Sequence, residues 1–107
     1  MELVKGGVGE QAVAEYAEQL RRPGHLRASF AYFKTFHGDV ADTVRNREVA
    51  LTMPVLALGG AGALGALVPD QAQAYAKNVT GDVMACGHWI AEEVPHLLTE
   101  RLLAFLA

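Results

Sequence analysis

Apolar residues recur with helical period through the first half of the chain. Between residues 10 and 22, Ala12, Val13, Tyr16, Ala17 and Leu20 share one face, while Glu10, Glu15 and Glu18 lie off it. That spacing predicts an amphipathic helix. Arg21 and Arg22 sit in its last turn, where cations suit the helix dipole, and Pro23-Gly24 stops it. Residues 25–36 repeat the pattern, with Leu26, Phe30 and Phe33 at i, i+4 and i+7, and Gly38 as the stop. A third helix starts at Asp39, with Val40 and Val44 turned inward. The expectation is a small helical layer over residues 10–48.

The pattern changes after residue 53. Pro54-Val55-Leu56-Ala57-Leu58 is a short apolar run ending in glycines, the signature of a strand buried on both faces. Pro69 opens a helix running to about Lys77, with Ala72, Ala76 and Val79 on one side. Asp82-Val83-Met84-Ala85-Cys86 reads as a second strand, ended by Gly87. Pro95 opens a last helix carrying Leu98, Leu102 and Phe105 at i, i+4 and i+7, with Leu97 and Leu106 beside them. Strand, helix, strand, helix predicts a parallel βαβ unit with one more helix over residues 53–107. The expected class is α/β: one domain over residues 1–107, a helical segment followed by a βαβα unit. No internal repeat, low-complexity stretch or linker interrupts it.

Composition narrows the possible roles. A chain of 107 residues, 51% hydrophobic and 20% charged, is one ordinary globular domain. Nine Lys and Arg against twelve Asp and Glu give a net charge of −3. With no basic excess to neutralise phosphates, nucleic acid is not an expected partner. The single cysteine, Cys86, excludes an internal disulfide and a Cys-only metal site, and fits a reducing, cytoplasmic setting. Residues 1–7 lack the apolar stretch of a secretory leader. Residues 49–69 carry no charge and are long enough to cross a bilayer. Pro54 and the glycines at 59, 60, 62 and 65 suit a strand and turn instead, so no membrane span is expected.

Four motifs invite chemistry and three are set aside. Gly60-Ala61-Gly62-Ala63-Leu64-Gly65 is a literal G-x-G-x-x-G between a strand and a helix, as a dinucleotide site requires. It lies past mid-chain, and Asp82 begins the next strand instead of ending it. Dinucleotide binding through Gly60 to Gly65 is therefore a minor alternative, and no cofactor is expected. His88, Glu92 and His96 are spaced i, i+4, i+8, but Pro95 breaks the helix that would align them and H-E-x-x-H is absent, so no metal site is expected. Asn78-Val79-Thr80 is a glycosylation sequon by letter, without the leader that would give it meaning. The fourth motif is His88 itself, directly after the second strand. The C-terminal edge of a parallel sheet is where α/β proteins hold catalytic groups, and an imidazole there can take up and return a proton near neutral pH. The competing reading is a partly buried histidine capping a turn, with Trp89 packed on the core.

Gly87-His88-Trp89-Ile90-Ala91-Glu92-Glu93-Val94-Pro95, followed by a Leu-rich helix to Phe105-Leu106, resembles the C-terminus of the α/β-hydrolase superfamily, in its epoxide hydrolase and dehalogenase-like branch. Met53-Pro54-Val55-Leu56-Ala57-Leu58-Gly59-Gly60 is similar to the penultimate strand and glycine turn of that family. Arg22-Pro23-Gly24-His25-Leu26-Arg27-Ala28-Ser29-Phe30-Ala31-Tyr32-Phe33 resembles the end of its helical cap. The resemblance spans residues 10–107. It implies a cap-like segment followed by the last two strands of the hydrolase sheet, with His88 as general base. It also offers Tyr32, or the adjacent Phe33, as the counterpart of a cap tyrosine that donates a proton to an epoxide oxygen, which a Phe cannot do. Aromatic residues at helical spacing are usually core, so burial is the favoured expectation for Tyr32.

The family's nucleophile lies on a strand–turn–helix bend, as G-x-S-x-G or the same frame with Asp. The 107 residues hold no such motif, and Ala61 stands where relatives often carry the acid. His88 therefore has neither a nucleophile to activate nor an acid to orient it within this sequence, and the chain by itself is expected to be inactive. Two strands leave an apolar sheet edge unpaired. The expectation is completion by self-association, or by a separate N-terminal hydrolase half that supplies the nucleophile. The alternative function is a non-catalytic dimerising or small-molecule-binding module.

Overall fold

The computed structural model describes residues 7–107; residues 1–6, all but the last residue of the stretch read above for a leader, lie outside it. The chain divides into two compact units, Gly9–Val49 and Ala50–Ala107.

The first unit holds three helices, α1 (Glu10–Arg21), α2 (His25–Lys34) and α3 (Phe36–Asn46). α1 ends where Arg22 turns extended ahead of Pro23, whose ring disfavours a helical residue before it. Gly24 then takes a left-handed conformation, φ 84°, which a side chain would strain. The boundary between α2 and α3 is Thr35, not Gly38. Its hydroxyl lies 2.9 Å from the Tyr32 carbonyl and 2.9 Å from an Asp39 carboxylate oxygen, closing one helix and tying down the first turn of the next. Gly38 is accommodated inside α3, since one glycine in a helix costs only about 1 kcal/mol. None of the three helices buries a residue. Tyr32 is 80% exposed, against the expectation of burial. Phe30, Phe33 and Phe36 are also exposed.

The second unit runs β1 (Leu51–Gly60), α4 (Leu67–Ala72), β2 (Ala76–Met84), α5 (Ile90–Glu93) and α6 (Pro95–Leu106). The two strands pair in parallel, with Leu56 opposite Thr80 and Gly60 opposite Met84. The register shifts between Leu51 and Pro54, so the proline sits at an irregularity where its missing N–H breaks no regular ladder.

The second strand differs most from expectation. It starts at Ala76, not Asp82, and ends at Met84, not Cys86, while the helix expected to reach Lys77 stops at Ala72. Val79 and Thr80 are β-branched, and pairing with Val55 and Leu56 overrides the helical spacing of the alanines before them. Gly81 has a packing reason: a Cβ there would meet the Cβ of Pro69 at 2.5 Å, so its absence lets α4 lie close on β2.

The core of this unit is small: Ala57, Ala76, Met84 and Cys86, joined by Pro69 from α4. The expectation that Pro54–Leu58 would be buried on both faces is not met: Pro54 is exposed, Val55, Leu56 and Leu58 are half-buried, and only Ala57 of that run is buried. Only Ala57, Gly59 and Gly60 in β1 are buried, while Leu51 and Met53 are exposed. A sheet of two strands lacks the neighbours that would cover the remainder.

Candidate active site

The end of β2 is held by backbone contacts. The Met84 carbonyl accepts from the N–H of Ala61 at 2.9 Å and of Cys86 at 2.8 Å. The Cys86 carbonyl accepts from Gly62 N–H at 2.9 Å. The glycine turn after β1 thus docks on the segment leading to His88. Gly60 makes this possible, because a Cβ there would sit 1.8 Å from the Gly87 carbonyl oxygen. A Cβ on Gly59 would likewise strike the Gly65 carbonyl at 1.9 Å. These two glycines of the apparent dinucleotide fingerprint therefore serve close packing of backbone on backbone, and the turn folds back on itself through Gly65 N–H to Gly60 C=O. Asp82 falls near the end of β2, not at its start, and its carboxylate pairs with Arg101 at 2.8 Å. Position is then no objection to Asp82 as a ribose ligand, but the acid already holds α6 to the sheet. The pair lines an open groove of about 390 Å³ with Leu56, Leu58, Thr80 and Phe105, and His88 is not part of it.

His88 lies four residues past β2, on the loop joining it to α5, at the C-terminal edge of the parallel pair. Its side chain is exposed, and its ring meets Trp89 edge-on, with centroids 4.9 Å apart and planes at 82°. Trp89 is itself 56% exposed, so it is a partner to the imidazole and not a core residue. The backbone on either side of His88 is clasped by one carboxylate. Gly87 N–H donates to Glu93 Oε2 at 2.7 Å, and Trp89 N–H donates to Glu93 Oε1 at 3.0 Å. The Trp89 carbonyl accepts in return from the N–H groups of Glu92 and Glu93, which makes α5 a single turn closing on the loop.

The other titratable group here is Cys86, 1% exposed. Burial pushes its thiol up from the ordinary range, and the Glu93 carboxylate adds to the rise. The structure sets His88, Glu92 and His96 on a loop, on α5 and on α6, and no three His, Cys, Asp or Glu among the described residues form a metal-holding group.

Glu93 was not singled out from sequence. The run Gly87-His88-Trp89-Ile90-Ala91-Glu92-Glu93 offers two adjacent acids, and spacing alone does not say which one folds back onto the loop. Glu92 is exposed, whereas Glu93 is half-buried against the amides it receives.

No family model matches the chain. A soluble epoxide hydrolase from Corynebacterium sp. (strain C12) is 32% identical over 99 residues, spanning 92% of this chain and 34% of that relative. The crystal structure of Cfl2 wild-type from Burkholderia cenocepacia superposes with a TM-score of 0.82 at 27% identity, over 94% of this chain and 35% of that one. The structure of epoxide hydrolase CorEH without ligand gives a TM-score of 0.83 at 30% identity, over 92% of this chain and 35% of its own. The fold is that of the C-terminal part of an α/β-hydrolase. The chain spans about a third of the length of those relatives. Its parallel sheet of two strands covers only a fragment of that fold. Among the described residues, no helix of the segment is long and apolar enough to cross a membrane.

Proposed function

We propose that this α/β-hydrolase segment supplies the general base of an epoxide-opening hydrolase, and that His88 is that base. The observation that carries the reading is the placement of His88: an exposed imidazole on a loop fixed at the C-terminal edge of parallel strands, held by backbone packing on one side and by Glu93 on the other. An imidazole so held takes a proton from water as the water attacks, then returns it. The nucleophile and the acid come from groups these 107 residues do not contain, so the chain alone does not turn over substrate. Tyr32, with its exposed phenol, is the proton donor to the epoxide oxygen, the role given to it by resemblance alone. A single, buried cysteine suits a reducing compartment, and we place the chain in the cytoplasm.

The test is complementation. The chain is co-expressed with the N-terminal two-thirds of the Corynebacterium epoxide hydrolase, and hydrolysis of styrene oxide is followed. The chain alone should be inactive, the pair should turn over, and His88→Ala in the pair should abolish turnover. A pair carrying His88→Ala that matches the parent rate would end the reading.

A second reading, self-association as a non-catalytic module, is favoured by the outer edge of β1. That edge has no partner strand among the described residues, and Leu51 and Met53 beside it are exposed. Light scattering of the pure chain tests it. A concentration-independent dimer supports it, and a monomer throughout rejects it.

A further inference from the structure

We infer that Glu93 is a positioning residue: its carboxylate fixes the His88 imidazole by clasping the backbone on both sides of it. The inference rests on the reading of His88 as the base, and it assigns a role to a residue that the motif alone leaves undifferentiated. Both carboxylate oxygens are used, one on Gly87 N–H at 2.7 Å and one on Trp89 N–H at 3.0 Å. The Trp89 N–H lies in the peptide plane that follows His88, and the Gly87 N–H lies in the Cys86–Gly87 plane, so bonds to one rigid group pin the chain at both ends of the Gly87-His88 stretch. The edge-on contact with Trp89 restricts the His88 side chain. Charge-assisted bonds of this kind are shorter and stronger than neutral ones.

A second observation points the same way. A Cβ at position 87 would sit 2.8 Å from Glu93 Oε1 and 3.0 Å from Oε2, so the glycine before His88 is the residue that lets the carboxylate approach its amide. From the other side, the Gly87 carbonyl abuts Gly60. The residue ahead of His88 is thus gripped between the glycine turn and the clasp. The clasp also explains α5, whose four residues bring Glu93 back over the loop, closed by its own N–H on the Trp89 carbonyl at 2.9 Å.

The experiment compares Glu93→Ala, Glu93→Gln and the control Glu100→Ala on α6. The first readout is NMR of the full chain: the amide protons of Gly87 and Trp89 and the ring protons of His88. A carboxylate-bound amide resonates downfield. Both amides should move upfield in Glu93→Ala, and the His88 ring signals should broaden into several environments. Gln keeps one acceptor oxygen but turns an NH2 donor toward the other amide, so one amide should move and one should stay. Glu100→Ala should move neither. If Glu93→Ala does not fold, the one-amide result with Gln carries the test. Amides and ring signals that stay in place in Glu93→Gln would overturn the inference, whether or not the chain belongs to an active hydrolase.

The second readout is the complemented enzyme. Glu93→Gln should lower kcat about 10- to 100-fold, the size expected for an ångström-scale displacement of a catalytic group, with KM within about twofold. Unchanged kcat with displaced amides would overturn the positioning role. Absence of any turnover with the wild-type chain would instead count against the proposed function, leaving the NMR result to decide the clasp.

Discussion

The two units of this chain treat glycine in opposite ways. In Ala50–Ala107, Gly59, Gly60 and Gly87 mark places where backbone or a carboxylate comes so close that no side chain fits, and the loop of His88 is built from those approaches. In Gly9–Val49, a Cβ at Gly38 would meet nothing within 4 Å. One unit has a small core and a tightly held loop. The other has regular helices with no buried residue. The lesson is that local sequence suffices to write amphipathic helices, while the geometry around His88 needs contacts between segments far apart in the chain.

Substitutions sharpen that contrast, beginning with the largest effect. Gly60→Ala should destabilise the α/β unit by about 3 kcal/mol or more in urea unfolding, since the new methyl would overlap the Gly87 carbonyl and neither backbone can yield cheaply. It should also shift the His88 ring signals. Met84→Ala removes the largest fully buried side chain, 2% exposed, and should cost about 2–4 kcal/mol.

The buried Cys86 thiol gives a test of a different kind. Its native pKa is raised by burial and by Glu93. The stability this represents is present below the ordinary thiol pKa and lost as pH rises through the native value. At pH 8 the folded thiol should react with a disulfide reagent at least about tenfold more slowly than in urea, since the thiolate is the reactive form. A thiol that reacts equally fast in both would mean the site is open.

Smaller effects should separate the units further. Asp82→Asn breaks the half-exposed pair with Arg101 and should cost no more than about 1 kcal/mol. Gly38→Ala should have the opposite sign and stabilise α3 by about 0.5–1 kcal/mol, through helix propensity alone. Phe33→Ser should change stability by less than about 0.5 kcal/mol, since the ring is exposed. A large loss at Phe33 would show that the helical face is covered in solution.

Much of this architecture was legible. The span of α1 and its stop at Pro23-Gly24 follow from spacing and from two residues with fixed backbone habits. So does α6, opened by Pro95. The parallel pair and the loop position of His88 were also readable, through the change of period after residue 53. The sequence pattern places the second strand too late because Ala72, Ala76 and Val79 continue a helical spacing, and only pairing with β1 shows that the chain has already become a strand at Ala76. Burial was misread for a related reason. Apolar faces in a sequence say that something covers them, not that the same chain does, and Tyr32 and Val44 are both exposed here. Glu93 was invisible because its partners are backbone amides, which every residue but proline carries.

Hydrogen exchange of the pure chain, read residue by residue, tests the contrast most directly. Helices of ten to twelve residues with no buried face are marginal in water. The amides of β1, β2, Gly62, Gly65, Gly87 and Trp89 should therefore be protected together, while those of α1, α2 and α3 exchange close to the unfolded rate. Equal protection across both units would contradict it, and so would rapid exchange at Gly87 and Trp89, because the His88 loop would then not be held in place by the chain itself.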